Sequence, residues 1–255
     1  MERMPMLFIG HGSPMNAIED NEFSRSWIAV GKTIPPPKAI LCVSAHWESM
    51  GTQTTAMEKP RTIYDFYGFP PELYEKTYPA PGSPELVARV LELVGADDTA
   101  MDLKWGLDHG TWSVLARLFP KADIPVVQLS LDVNKNSQEH YDLGRQLKPL
   151  RDEGILILGS GNIVHNLRMV VFEDIAYDWA LAFDGMIKKW ILDGNHDPLI
   201  QYHKQGREAA LSINSAEHYK PLLYVLGAQD SGEPVSFFAE KVWGGSVSMR
   251  SVRIG

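Results

Sequence analysis

Short, wholly apolar runs recur along this chain, and three of them lead into a turn that carries a histidine. MLFIG runs into His11, AILCVSA into His46, and ILILGSGN is followed closely by His165. Runs of this length without polar alternation are strands covered on both faces, and such strands require helices above and below the sheet. Helical patterns fill the intervening sequence. Ser83 and Pro84 read as N-cap and first turn of a helix, with Leu86, Val90, Leu93 and Val94 on one face and Gly95 as its stop. Asn136 and Glu139 form a capping-box pattern ahead of Leu143, Leu147 and Leu150. Further helices are predicted over 21–30, 110–119 and 178–192, and further strands over 125–131 and 246–254. The fold class is α/β, a central mostly parallel or mixed sheet flanked by helices.

No linker-like stretch divides the 255 residues, so one domain spanning 1–255 is expected. Lys plus Arg number 24 against 32 Asp plus Glu, a net charge of −8, which lacks the basic footprint of a nucleic-acid partner. No apolar run reaches the 18 residues of a membrane span. The opening MERMPMLFIGHGSP has too short an apolar stretch for a secretory leader, and the expected location is the cytoplasm. The single cysteine, Cys42, has no disulfide partner and reads as buried filler.

Eight histidines are present. In open α/β sheets, ligands bind beyond the carboxyl ends of the strands, so His11, His46 and His165 would converge on one crevice. His109 follows Asp108 at the start of a helix, and His218 stands in Ala216-Glu217-His218-Tyr219 ahead of the apolar run 221–226. His140, His196 and His203 lie in polar or helical contexts and read as ordinary hydrogen-bonding residues. Imidazole suits zinc, copper, iron and nickel, but no local H-x-x-x-H pattern occurs. The spacing leaves open both a metal site and a set of separately satisfied histidines. Gly159-Ser160-Gly161 is an incomplete nucleotide-binding turn, because Val164 stands where the third glycine would be. Trp47, Trp105, Trp112 and Tyr219 read as core, with an aromatic pocket wall as the alternative. The proline-rich stretch 59–81 carries Tyr64, Phe66, Tyr67, Phe69, Tyr74 and Tyr78, and reads either as a packed surface loop or as a lid over an aromatic ligand.

FIGHGSPMN, VSAHWES, YDFYGFPPELYEKTYPAPGSPEL, WGLDHGTW, LGSGNIVHNLR and EHYKPLLYVLGA occur here in order. Together they resemble the DODA-type extradiol aromatic ring-opening dioxygenases, the 4,5-DOPA dioxygenase extradiol group within the superfamily of the protocatechuate 4,5-dioxygenase catalytic subunit. The resemblance implies a single-domain α/β enzyme that inserts both atoms of O₂ into a catechol ring to give a semialdehyde. By motif, His11, His46 and His218 are implied metal ligands, His165 the acid/base, and His109 a substrate contact. The implied cofactor is one divalent ion: ferrous iron for the oxygenase reaction, zinc as an ion readily bound. Protocatechuate-type relatives use a glutamate as third ligand, whereas His218 takes that position here. Three neutral ligands leave the ion its full charge, which is expected to slow the reaction with O₂ and to ease occupation by zinc. A zinc hydrolase and a non-enzymatic metal-binding protein are the alternatives on this scaffold.

Overall fold

The computed structural model describes residues 3–96 and 98–255. Met1 and Glu2, with which the leader reading begins, and Asp97 lie outside the described residues. In chain order the strands are β1 (Met6–Gly10), β2 (Ala39–Ser49), β3 (Thr52–Thr55), β4 (Thr99–Asp102), β5 (Val126–Asp132), β6 (Ile155–Gly161), β7 (Val235–Phe238), β8 (Val242–Trp243), β9 (Val247–Ser248) and β10 (Ser251–Ile254). The α-helices are α1 (Glu22–Gly31), α2 (Pro71–Glu75), α3 (Pro84–Val94), α4 (His109–Leu118), α5 (Ser137–Leu147), α6 (Asp178–Leu192), α7 (Asp197–Ile200), α8 (Gly206–Ser212) and α9 (Lys220–Gly227).

Eight strands form one mixed sheet in the order β4-β3-β5-β2-β6-β1-β10-β7. Its centre, β5-β2-β6-β1, is parallel throughout. The flanks add antiparallel pairings, β3 on β5, β10 on β1 and β7 on β10. The apolar runs are the central strands, buried on both faces as their composition requires. Met6, Phe8, Leu41 and Val43 point into one core with residues of α3, α5, α6 and α9. Leu7, Ile9, Ile40 and Cys42 point into the other with Phe23 and Trp27 of α1 and Trp112 and Leu115 of α4. Among the described residues, no helix is long and apolar enough to cross a membrane.

The capping signals act as read. The Ser83 hydroxyl accepts from the Leu86 amide, and Asn136 and Glu139 close a reciprocal capping box on α5. Three features differ from expectation. The strand expected over 39–44 continues to Ser49, because β2 keeps pairing with β5 beyond a register shift between Val43 and Glu48. The stretch 59–81 contains the short helix α2, begun by Pro71 in its first turn. The segment 246–254 breaks into β9 and β10, which belong to different sheets. Strands β3 and β4, TQTT and TAMD, carry no apolar run and pair at the sheet edge through their backbones.

Helices α5 and α9 approach closely because each presents a glycine to the other. A Cβ at Gly144 would overlap the Tyr224 carbonyl oxygen, and one at Gly227 would overlap that of Tyr141. Alanine is the better helix former by about 1 kcal/mol, but overpacking costs about 1–3 kcal/mol. Backbone atoms cannot swing aside, so the packing effect wins. Gly144→Ala should therefore lower stability by about 1–2 kcal/mol, read as a lower urea midpoint; an unchanged or raised midpoint would contradict the close crossing.

Candidate metal centre

The parallel strands β1, β2 and β6 run to the same edge of the sheet, where the site is built from the chain after β1 and β6, the far end of β2 and the turn before α9. His11 follows β1, and its backbone N–H donates to the Gly161 carbonyl at the end of β6, 3.0 Å away. Its ring Nδ1 lies 3.0 Å from the Ser160 hydroxyl, which itself donates its hydrogen to the Gly110 carbonyl. A serine has one hydrogen to give, so Ser160 accepts from His11 Nδ1–H. The lone pair of His11 is thereby left on Nε2.

His46 stands in the irregular stretch of β2, beyond Ser44, the last residue paired with β6. A local kink of this kind re-aims a side chain. The ring Nδ1 faces Asp65 Oδ2 at 3.4 Å, and Nε2 lies 3.0 Å from Nε2 of His11. His218 comes from the turn before α9. Its Nδ1 lies 3.1 Å from Glu217 Oε1, an oxygen that also accepts from the Ser215 hydroxyl. Its carbonyl accepts from the Asn162 amide at 2.8 Å. This contact fixes the residue against the end of β6, where Gly161 is required because a Cβ would overlap the His218 carbonyl oxygen. Potential ligand atoms of His11, His46 and His218 all lie within 4.8 Å of one another.

These rings fit a cation. With Nδ1–H of His11 committed to Ser160, its Nε2 offers only a lone pair. If His46 keeps its proton on Nδ1, toward the Asp65 carboxylate, two lone pairs face each other across 3.0 Å. If the proton moves to Nε2, a bare Nδ1 faces a carboxylate instead. Either tautomer leaves one repulsive contact, and a cation between the two Nε2 atoms removes it. Burial holds the rings neutral, as ligands must be. It pushes His11 and His218 well below the ordinary histidine range and His46 down to about 3, with the neighbouring histidines adding to the effect.

His165 and His109 border the triad from opposite sides. The His165 ring stacks on His218, with centroids 3.5 Å apart and planes 12° from parallel. His165, Glu217 and His218 also bring potential ligand atoms within 4.8 Å of one another, beside the triad of His11, His46 and His218. Burial lowers the His165 pKa to about 4, partly offset by Glu217. His109, the first residue of α4, has its ring centroid 3.9 Å from that of His46. Its Nδ1 meets Asp65 Oδ2 at 2.9 Å, and its amide donates to Asp65 Oδ1 at 2.8 Å. Hydrogen bonds from His109 hold the Asp65 carboxyl below the usual range despite its burial.

Of the aromatic residues in 59–81, Phe66 meets a site histidine, edge-on to His109 with centroids 5.6 Å apart. Tyr64 and Tyr78 anchor the loop instead, donating to the carbonyls of Lys76 and Phe119. Tyr67 is 92% exposed. Trp47 is buried and stacks on Trp105, and Tyr219 is core, its hydroxyl donating to Leu199. Cys42 is buried against Thr111, and burial raises its thiol pKa. Asp108 is used as the N-cap of α4 and accepts from Ser44 and Gln128. The sequence carries no local sign that Asp65 and Ser160 face ring nitrogens, and it offers Glu217 only as a neighbour of His218. A carboxylate inside a proline-rich loop gives no local sign of the ring it faces.

The remaining histidines lie elsewhere. His196 Nδ1 pairs with the Tyr141 hydroxyl, and His203 is exposed. His140 is buried with Nδ1 2.9 Å from the Tyr224 hydroxyl, and burial lowers its pKa from 6.5 to about 4. The unfolded chain therefore binds a proton there that the fold does not, between these two values. The resulting stability is complete above the ordinary histidine pKa and is lost as pH falls toward 4. Replacement of His140 by Gln should remove about one proton from the uptake on unfolding at pH 5, which flattens stability against pH by about 1.4 kcal/mol per unit. Urea unfolding from pH 7 to 4.5 measures this; an unaltered slope would mean that His140 is protonated in the fold.

Residues 5–244 match the family model described as the catalytic LigB subunit of aromatic ring-opening dioxygenase. A 4,5-DOPA dioxygenase extradiol of Escherichia coli (strain K12) is 50% identical, over 99% of this chain and 95% of that protein. One of Beta vulgaris is 37% identical, over 96% and 94%. A crystal structure of an Escherichia coli K12 protein described as uncharacterized superposes with a TM-score of 0.87 at 46% identity, covering 99% of this chain and all of that one.

Proposed function

The chain belongs to the family of the catalytic LigB subunit of aromatic ring-opening dioxygenases, the extradiol enzymes, and on that premise we propose a substrate, a metal site and residue roles. The substrate is a catechol of the DOPA type, the class named for the Escherichia coli and Beta vulgaris relatives. His11, His46 and His218 hold one divalent ion, and residues 1–255 act as one catalytic domain. The observation that carries this reading is the 3.0 Å approach of two imidazole Nε2 atoms, with the Nδ1 of each on an oxygen partner. Three protein ligands on one face leave positions open for a diol and O₂. A ferrous ion there supplies electrons to O₂ and acidifies the catechol hydroxyls, whereas zinc supplies only the second effect.

The chain's own groups manage the protons. His165, neutral beside the triad, takes the proton of a catechol hydroxyl and returns it as the ring opens. His109 has Nδ1 on Asp65, so its Nε2 accepts from the other hydroxyl, with the Asp65 charge behind it. Phe66 borders His109 and offers an edge to the aromatic ring. Both oxygen atoms of O₂ end in the product, a ring-opened semialdehyde. The buried reduced thiol of Cys42 is consistent with a cytoplasmic location.

Anaerobic loading with Fe(II), followed by DOPA and a panel of catechols in an oxygen electrode, tests the reading. One O₂ should be consumed per yellow ring-fission product, and the zinc-loaded protein should consume none. His165→Gln should keep its iron and lose about 10²–10⁴-fold in kcat. No uptake with any catechol at one iron per chain would overturn the reaction class, and wild-type turnover in His165→Gln would overturn the role of that residue.

A further inference from the structure

Asp65 lies in the aromatic loop, at a distance in sequence from every histidine of the site. One of its oxygens, Oδ2, faces two rings: His109 Nδ1 at 2.9 Å and His46 Nδ1 at 3.4 Å. The other, Oδ1, accepts from the backbone amide of His109 at 2.8 Å. The two rings lie against each other, and Asp65 is half-buried beside them. The loop that carries it is held independently of the metal centre. The Trp112 indole donates to Ile63, Ile63 and Leu107 are joined through their backbones, and Tyr64 and Tyr78 are anchored by their hydroxyls. A carboxylate so fixed imposes its geometry on the rings it meets.

We propose that Asp65 is a positioning residue that serves both halves of the site with one carboxylate. It sets the Nδ1–H tautomer of the ligand His46 and of the substrate-facing His109, so that both Nε2 atoms point inward with lone pairs. The proposal rests on the ligand assignment given above and extends it. The loop is then more than a wall. Its seating decides whether His46 presents a ligand nitrogen and whether His109 presents an acceptor to the catechol. Metal loading and substrate orientation depend on the same side chain.

The test uses zinc alone, so no turnover is needed. Competition with a chromophoric chelator gives the zinc affinity of the wild type, Asp65→Asn and Tyr64→Phe. Asp65→Asn keeps the shape and removes the charge and one acceptor, and should bind zinc about 10–100-fold more weakly. Tyr64→Phe loses a hydrogen bond of the same loop but leaves the carboxylate in place, and should bind as the wild type does. Equal weakening in both variants would make the effect one of loop order and overturn the proposal, as would unchanged affinity in Asp65→Asn. Long-range ¹⁵N–¹H correlation spectra of the zinc-loaded wild type add a readout that no variant's folding can obscure. Nδ1–H tautomers for both His46 and His109 support the proposal, and an Nε2–H tautomer in either overturns it. Failure of the wild type to bind zinc would strike the ligand assignment itself, a result distinct from equal affinity of wild type and variant.

Discussion

Two imidazole Nε2 atoms, those of His11 and His46, held 3.0 Å apart, are the contact on which this account of the site depends. Nothing in a protein core favours that arrangement by itself, since either neutral tautomer of His46 sets a bare ring nitrogen against the His11 lone pair or the Asp65 carboxylate in a medium that screens weakly. The fold nevertheless enforces it. His11 is fixed by the junction of β1 and β6, His46 by the irregular end of β2, and His218 by the packing of the turn before α9 onto β6. A parallel sheet delivers several strand ends to one edge, and this fold uses that property to assemble three residues distant in sequence.

The groups behind the rings are as ordered as the rings. Ser160, Asp65 and Glu217 stand at the Nδ1 atoms of His11, His46 and His218 respectively. Two of the three are carboxylates. Neutral ligands alone leave a divalent ion its full charge, the basis for expecting slow chemistry with O₂ and ready occupation by zinc. Asp65 and Glu217 place negative charge one ring away, and a hydrogen-bonded carboxylate makes an imidazole a stronger donor. In the proposed ligand set, the charge that a ligand glutamate brings directly in protocatechuate-type relatives would reach the ion through histidines, which would offset part of the expected penalty with a nitrogen-only coordination set.

The sequence revealed the central sheet because buried parallel strands are continuous apolar runs, and MLFIG, AILCVSA and ILILGSG are such runs. It revealed His11 and His46 as companions because each follows one of them. Strands such as TQTT and TAMD were hidden, because their place is decided by backbone pairing at an edge and their side chains show no period. The continuation of β2 through His46 was hidden too, since a bulge depends on the partner strand. His218 became a candidate ligand only through likeness to a family, as no local spacing links it to the other two. Asp65 had no signal of its own; a carboxylate in a loop acquires its role only when the loop is seated on the histidines.

The most direct test is a crystal structure of the protein loaded with one divalent transition metal, with anomalous maps collected on both sides of that metal's absorption edge. A single peak about 2.0–2.2 Å from the Nε2 atoms of His11, His46 and His218, with the Nδ1 atoms still on Ser160, Asp65 and Glu217, is the expected result. A peak held by other residues, or by fewer than three of these rings, would contradict the account.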